Sequence, residues 1–124
     1  MVARTMKPWG YQLSLDCSGC NSVLMQNELL VCAWIDQLVS DIAMTPIGAP
    51  VIEYTAGDHE DKAGFTVVQI IVTSSIVAHF VDSLGHIYVD VFSCKEFSAE
   101  TVRASIRNTF GCSGMREHSF TRSA

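Results

Sequence analysis

Apolar and polar residues alternate from Trp9 to Asp16, with Tyr11, Leu13 and Leu15 on one side and Gln12, Ser14 and Asp16 on the other. A period of two sends successive side chains to opposite faces and predicts a strand covered on one face only. Cys17-Ser-Gly-Cys-Asn21 is turn chemistry and ends it. From about Asn27 to Ala43 the spacing turns helical: Leu30 or Val31, Trp34, Ile35, Leu38, Val39 and Ile42 make one broad apolar stripe. Asn27 can cap the start through its side-chain oxygen, and Pro46 with Gly48 forbids continuation beyond about Met44.

The second half reads mainly as strands. Val51–Thr55 is a short one, followed by the polar, glycine-flanked loop Ala56–Gly64. Phe65–Val72 is β-branched and apolar apart from Gln69, which suits a central strand. Ser75–Val81 and the alternating His86–Cys94 flank the turn residues Asp82–Gly85. Ser98 caps a second helix, with Val102, Ile106 and Phe110 at i, i+4 and i+8 and Gly111 as its stop. Met115–Phe120 is expected as an edge strand before a frayed tail, and Met1–Pro8 as a loose lead-in. The order β-α-β-β-β-β-α-(β) predicts an α+β fold: a two-layer α/β sandwich, mainly antiparallel sheet with two helices on one face.

Composition narrows the function. One domain over residues 1–124 is expected, with 48% apolar and 17% charged residues. A net charge of −5 and scattered arginines (Arg103, Arg107, Arg116, Arg122) argue against a nucleic-acid partner. The start lacks signal-peptide character, and the apolar runs Leu29–Ile35 and Val67–Val72 are too short for a bilayer. No membrane partner and a cytoplasmic location with reduced thiols are therefore expected, and five cysteines fit poorly with a disulfide framework. Cys17-x-x-Cys20 has the spacing of a redox pair or half a zinc site. Cys32 and Cys112 supply no second close pair, so turn residues with Cys20 packed inward are expected, and no metal.

The chemistry concentrates between Thr73 and Cys94. Three small hydroxyl residues, Thr73-Ser74-Ser75, interrupt two apolar runs. By strand parity His79 shares a face with Ser75 and Val77 while Ser74 points the other way, so Ser74 and His79 meet only if the chain bends or breaks near Thr73–Ser74. On the returning strand Tyr88, Asp90, Phe92 and Cys94 share a face, and a hairpin carries Cys94 toward the Thr73–Ser74 end. Taken singly, each residue has an ordinary reading: His79 a hydrogen-bonded core histidine, Cys94 a buried small hydrophobe, Ser74 a strand-end hydroxyl.

Together they resemble a known family. Ser74-x4-His79 with Cys94 fifteen residues after the histidine, the opening Gly10-x-x-Leu13 strand, Asp16, and Asp-Val-Phe-Ser-Cys at 90–94 resemble the small prokaryotic type of S-adenosylmethionine decarboxylase. The resemblance runs from Gly10 to about Phe110. It implies that Ser74 attacks the Thr73 carbonyl, that β-elimination cuts the chain into 1–73 and 74–124, and that Ser74 becomes a pyruvoyl cofactor. His79 would take a proton in that elimination, Thr66 stands where the family has a processing serine, and Cys94 would return a proton after decarboxylation. The pyruvoyl ketone would bind a substrate amine as a Schiff base and accept electrons as CO₂ leaves. Asp16, Asp82 and Asp90 are the candidate substrate contacts, the substrate being S-adenosylmethionine on the way to spermidine and other polyamines, and a homodimer with sites near its interface is implied. Thr73 and Ser75 replace the family's usual glutamate and histidine around the serine. Phe80-Val-Asp-Ser83 replaces an aromatic-proline-glutamate segment, and Ala56–Ala63 lacks an adenine-stacking aromatic. Relatives on this scaffold decarboxylate arginine or ornithine. A non-processing relative that serves as a binding module is the expectation from another functional class.

Overall fold

In a computed structural model describing residues 7–124, six antiparallel strands form one sheet in the order β2-β3-β4-β5-β1-β6. They are β1 (Gly10–Ser18), β2 (Val51–Thr55), β3 (Gly64–Ile71), β4 (Ser74–Val81), β5 (His86–Ser93) and β6 (Gly114–Arg122). The helices are α1 (Ser22–Met25), α2 (Glu28–Asp41) and α3 (Ala99–Phe110), and a 3₁₀ turn at Asp82–Leu84 joins β4 to β5. This is the expected two-layer α+β sandwich. Most of the expected lead-in, residues 1–6, lies outside the described residues.

The alternation read in the sequence sorts the two faces. Leu13, Leu15 and Cys17 of β1, Ile76, Ala78 and Phe80 of β4, and Val89 and Val91 of β5 are buried toward the helices. Val31, Trp34, Ile35, Leu38 and Val39 of α2 meet them, with Val102, Ile106 and Phe110 of α3. Trp34, Phe80 and Phe110 pack edge to face, with ring centroids 5.2–5.8 Å apart. The Trp34 indole N–H donates to Ser105 Oγ at 3.0 Å, so its one polar atom is satisfied inside the core. Both long helices are capped as expected: Asn27 accepts from the Leu30 N–H and Ser98 from the Thr101 N–H, each at 3.1 Å. Gly111 closes α3 at φ 67°, a left-handed conformation that glycine adopts without steric cost.

Several expectations need correction. The segment after β1 is not turn alone: Asn21 accepts from the Val23 and Leu24 N–H groups and starts the one-turn helix α1. The edge strand β6 continues to Arg122, paired with Gly10, where a frayed tail was expected. Among the cysteines, Cys20 and Cys112 form a disulfide, contrary to an all-thiol chain. Cys17, buried on the core face, remains a thiol, and burial together with the nearby Asp16 charge pushes its pKa up to about 11. Gln69, the polar exception in β3, is buried and donates to the Gly48 and Ile70 carbonyls, while its Oε1 has no partner among the described residues.

Candidate active site

The break near Thr73–Ser74 is a two-residue turn, Val72–Thr73, linking β3 to β4. Ser74 is the first residue of β4 and lies opposite Ser93. Its Oγ accepts a hydrogen bond from the Cys94 N–H at 3.0 Å, and Thr73 Oγ1 lies 2.6 Å from Cys94 Sγ. The register that brings β5 back beside β4 therefore puts the cysteine level with the serine. Hydrogen bonds from the Thr73 side chain, and then from its backbone, hold the Cys94 thiol below its ordinary pKa by favouring the thiolate. Cys94 is half-buried rather than enclosed, so it is not a small core hydrophobe.

An aromatic and a cationic side chain stand beside this thiol. Trp9 stacks on Phe92 at 5.9 Å, and the Arg122 guanidinium sits 4.6 Å from the centre of the same ring. With Cys94 these three line an open groove. Gly10 makes the arrangement possible: a Cβ there would sit 2.5 Å from the Phe92 ring. Neither Trp9 nor Arg122 shows as a site residue in the sequence, because each reaches the groove through β1 pairing with β5 and β6 at the far ends of the chain.

The sheet face away from the helices carries the other candidates in rows across the strands. Thr66 of β3 pairs with His79 of β4, His79 with Tyr88 of β5, Tyr88 with Asp16 of β1, and Asp16 with Arg116 of β6. His79 is exposed, not a core histidine; its Nδ1 is 3.3 Å from Thr66 Oγ1, which lies 3.0 Å from Thr55 Oγ1. In the next row Asp90 accepts from Ser14 Oγ at 2.6 Å. Asp16 lies 3.8 Å from His118 Nε2, a contact that becomes an ion pair when the histidine is protonated.

Two separate groups result. Thr73, Ser74 and Cys94 meet at the turn, while Thr66, His79, Asp16 and Asp90 share the open face farther along. Within one chain Ser74 and His79 do not meet: the break falls ahead of Ser74, and the strand then runs unbroken for five residues, ~16 Å at ~3.3 Å each. Asp82 joins neither group. It lies past the end of β4, where its Oδ2 accepts from the Tyr54 hydroxyl at 2.9 Å. Burial raises its carboxyl pKa, and the tyrosine bond partly opposes the shift.

Fold and site together define a two-layer sandwich with a serine and a cysteine paired at a hairpin turn. The scaffold is similar to that of the adenosylmethionine decarboxylase of Aquifex aeolicus VF5, with a TM-score of 0.78 over 96% of this chain and 94% of that one. Sequence identity between the two is 17%, so the likeness is one of fold. Residues 11–123 match the profile of the S-adenosylmethionine decarboxylase family, and the chain belongs to that family, whose chemistry is decarboxylation. No curated protein matches the chain at significance. Among the described residues no helix is long and apolar enough to cross a membrane, and no cluster of side chains is arranged to hold a metal ion.

Proposed function

We propose that this protein is a self-processing, pyruvoyl-dependent S-adenosylmethionine decarboxylase of polyamine synthesis. The observation that carries this reading is the contact set at the turn, where Ser74 Oγ, Thr73 Oγ1 and Cys94 converge within hydrogen-bond distance. Cleavage begins with Ser74 Oγ adding to the Thr73 carbonyl carbon; the C–N bond breaks as an ester forms. Loss of the Ser74 Cα proton then breaks the Cβ–Oγ bond and frees the Thr73 carboxylate. Water displaces the residue-74 nitrogen as ammonia and leaves pyruvoyl at the head of the 74–124 fragment.

The turn residues fit such a group, since a hydroxyl that can be converted and a thiol that can carry a proton are already adjacent. The pyruvoyl ketone supplies an electron sink for the substrate's α-carbon when it holds the substrate amine. Cys94 holds the proton that replaces CO₂, and the Trp9–Phe92 stack offers an aromatic face beside it. Asp16 and Asp90 place negative charge on the open face, which suits a cationic substrate.

The separation of His79 from Ser74 supports a homodimer. Ile70, Tyr88 and Phe120 are exposed apolar or aromatic positions on the open face, so pairing two such faces buries them. A two-fold pairing is self-complementary, and it can set His79 and Thr66 of one copy over the Ser74–Cys94 end of the other. The test of the whole reading is mass spectrometry of the reduced, denatured protein. Two fragments meeting at Thr73–Ser74, the second blocked by pyruvoyl, are expected. A single uncut chain sinks the reading in favour of a non-processing binding module. CO₂ release from a substrate panel then separates S-adenosylmethionine from arginine and ornithine.

A further inference from the structure

The disulfide partners lie on opposite sides of the Thr73–Ser74 junction. Cys20 follows β1 and Cys112 follows α3, 92 residues later. The backbone around both is tied across the same junction: Cys20 N–H donates to the Gly85 carbonyl at 3.0 Å, Asn21 N–H to Phe110 at 2.8 Å, and Ser113 N–H to Ser18 at 3.1 Å. Both sulfur-bearing side chains are buried, Cys20 at 8% and Cys112 at 4% exposure.

We propose that the Cys20–Cys112 disulfide is a covalent tether holding the 1–73 and 74–124 fragments in one molecule after cleavage. The inference rests on the cleavage proposed above. The two thiols lose two protons and two electrons to an external low-molecular-weight disulfide, which leaves as two thiols. No bond made or broken at Thr73–Ser74 takes part, so the two reactions are independent. Two of the three remaining cysteines are poor competitors for this pairing. Cys17 is three residues from Cys20 but buried with a thiol pKa of about 11, which leaves almost no attacking thiolate. Cys94 is engaged at the turn with Thr73.

The test is denaturing electrophoresis and intact mass of protein released directly into alkylating agent, run with and without reductant. The expected result is one species near 13.6 kDa without reductant and two fragments with it. Replacing either partner, Cys112→Ser or Cys20→Ser, is expected to release the two fragments without reductant, while Cys32→Ser leaves the pattern unchanged. Two fragments from the unreduced wild-type protein overturn the tether and leave the cleavage intact. A single chain under both conditions removes the cut that the tether would span. Counting alkylated cysteines then tells whether the disulfide itself forms: three of the five without reductant if it does, all five if it does not.

Discussion

The two ends of β4 differ in how their side chains come together. At the Ser74 end the partners are local to a hairpin turn, and the β4–β5 register alone brings Cys94 to Ser74. At the His79 end the partners are a row drawn from β3, β5 and β1, set on a face that none of the described residues covers. The first end is assembled within one chain, and the second is the surface that the other copy covers in the proposed homodimer. A chemistry that needs both must bring them together by association, because an unbroken strand cannot fold back on itself over five residues.

The largest effect is expected from Ser74→Ala, which removes the proposed attacking oxygen. Cleavage should be lost outright, with a single chain on reducing gels and no CO₂ released. Mixing is the next strongest probe. Coexpressed Ser74→Ala and His79→Ala chains should recover partial cleavage of the His79→Ala chain, as judged by fragment mass, although each variant alone stays uncut. Recovery requires His79 to act across two chains, and its absence would place the histidine back with its own serine. Cys94→Ala should separate the two reactions at the turn: the cut persists on gels, while decarboxylation falls by about 10²–10⁴-fold, the usual worth of a positioned acid.

A smaller effect is expected on the helix-covered face, where side chains serve the fold. Phe110→Ala opens a void beside Trp34 and Phe80 and should cost about 3–5 kcal/mol, read as a lower denaturant midpoint. The smallest effect is a shift in pH. In the uncut Ser74→Ala chain, alkylation of Cys94 should rise with pH below the range of an ordinary thiol, because Thr73 stabilises the thiolate. Thr73→Val removes the side-chain bond and should move that rise to higher pH, as followed by peptide mapping.

The sheet was legible because its strands alternate. Leu13 and Leu15 against Ser14 and Asp16, or Val89 and Val91 against Tyr88 and Asp90, state their faces without help. The helical stripe of α2 was legible too, with Val31 rather than Leu30 as its buried member. α1 escaped notice because one turn is too short to show a period, although Asn21 before Ser-Val-Leu was its signal. The last two residues of β6, Thr121 and Arg122, escaped because neither is apolar and so they extend no face that could be read. At the site, hairpin register made the Ser74–Cys94 meeting predictable. The Trp9–Phe92–Arg122 cluster and the Cys20–Cys112 pair depend on contacts between distant parts of the chain, which no spacing encodes.

The place of β1 has a further consequence for timing. β1 leaves the ribosome before the other strands, yet its neighbours are β5 and β6, so Gly10 waits for Arg122 and Tyr11 for Ser93. Pairings so distant in sequence are slow to form. β5, which carries Cys94 to the turn, is itself held in the sheet by β1 from Ile87 to Ser93. A nascent chain that has made only Thr73 and Ser74 has the proposed cleavage point without the frame around it. In the self-cleavage proposed above, assembly of the last strands would act as a clock, delaying the cut until the two halves are already woven together.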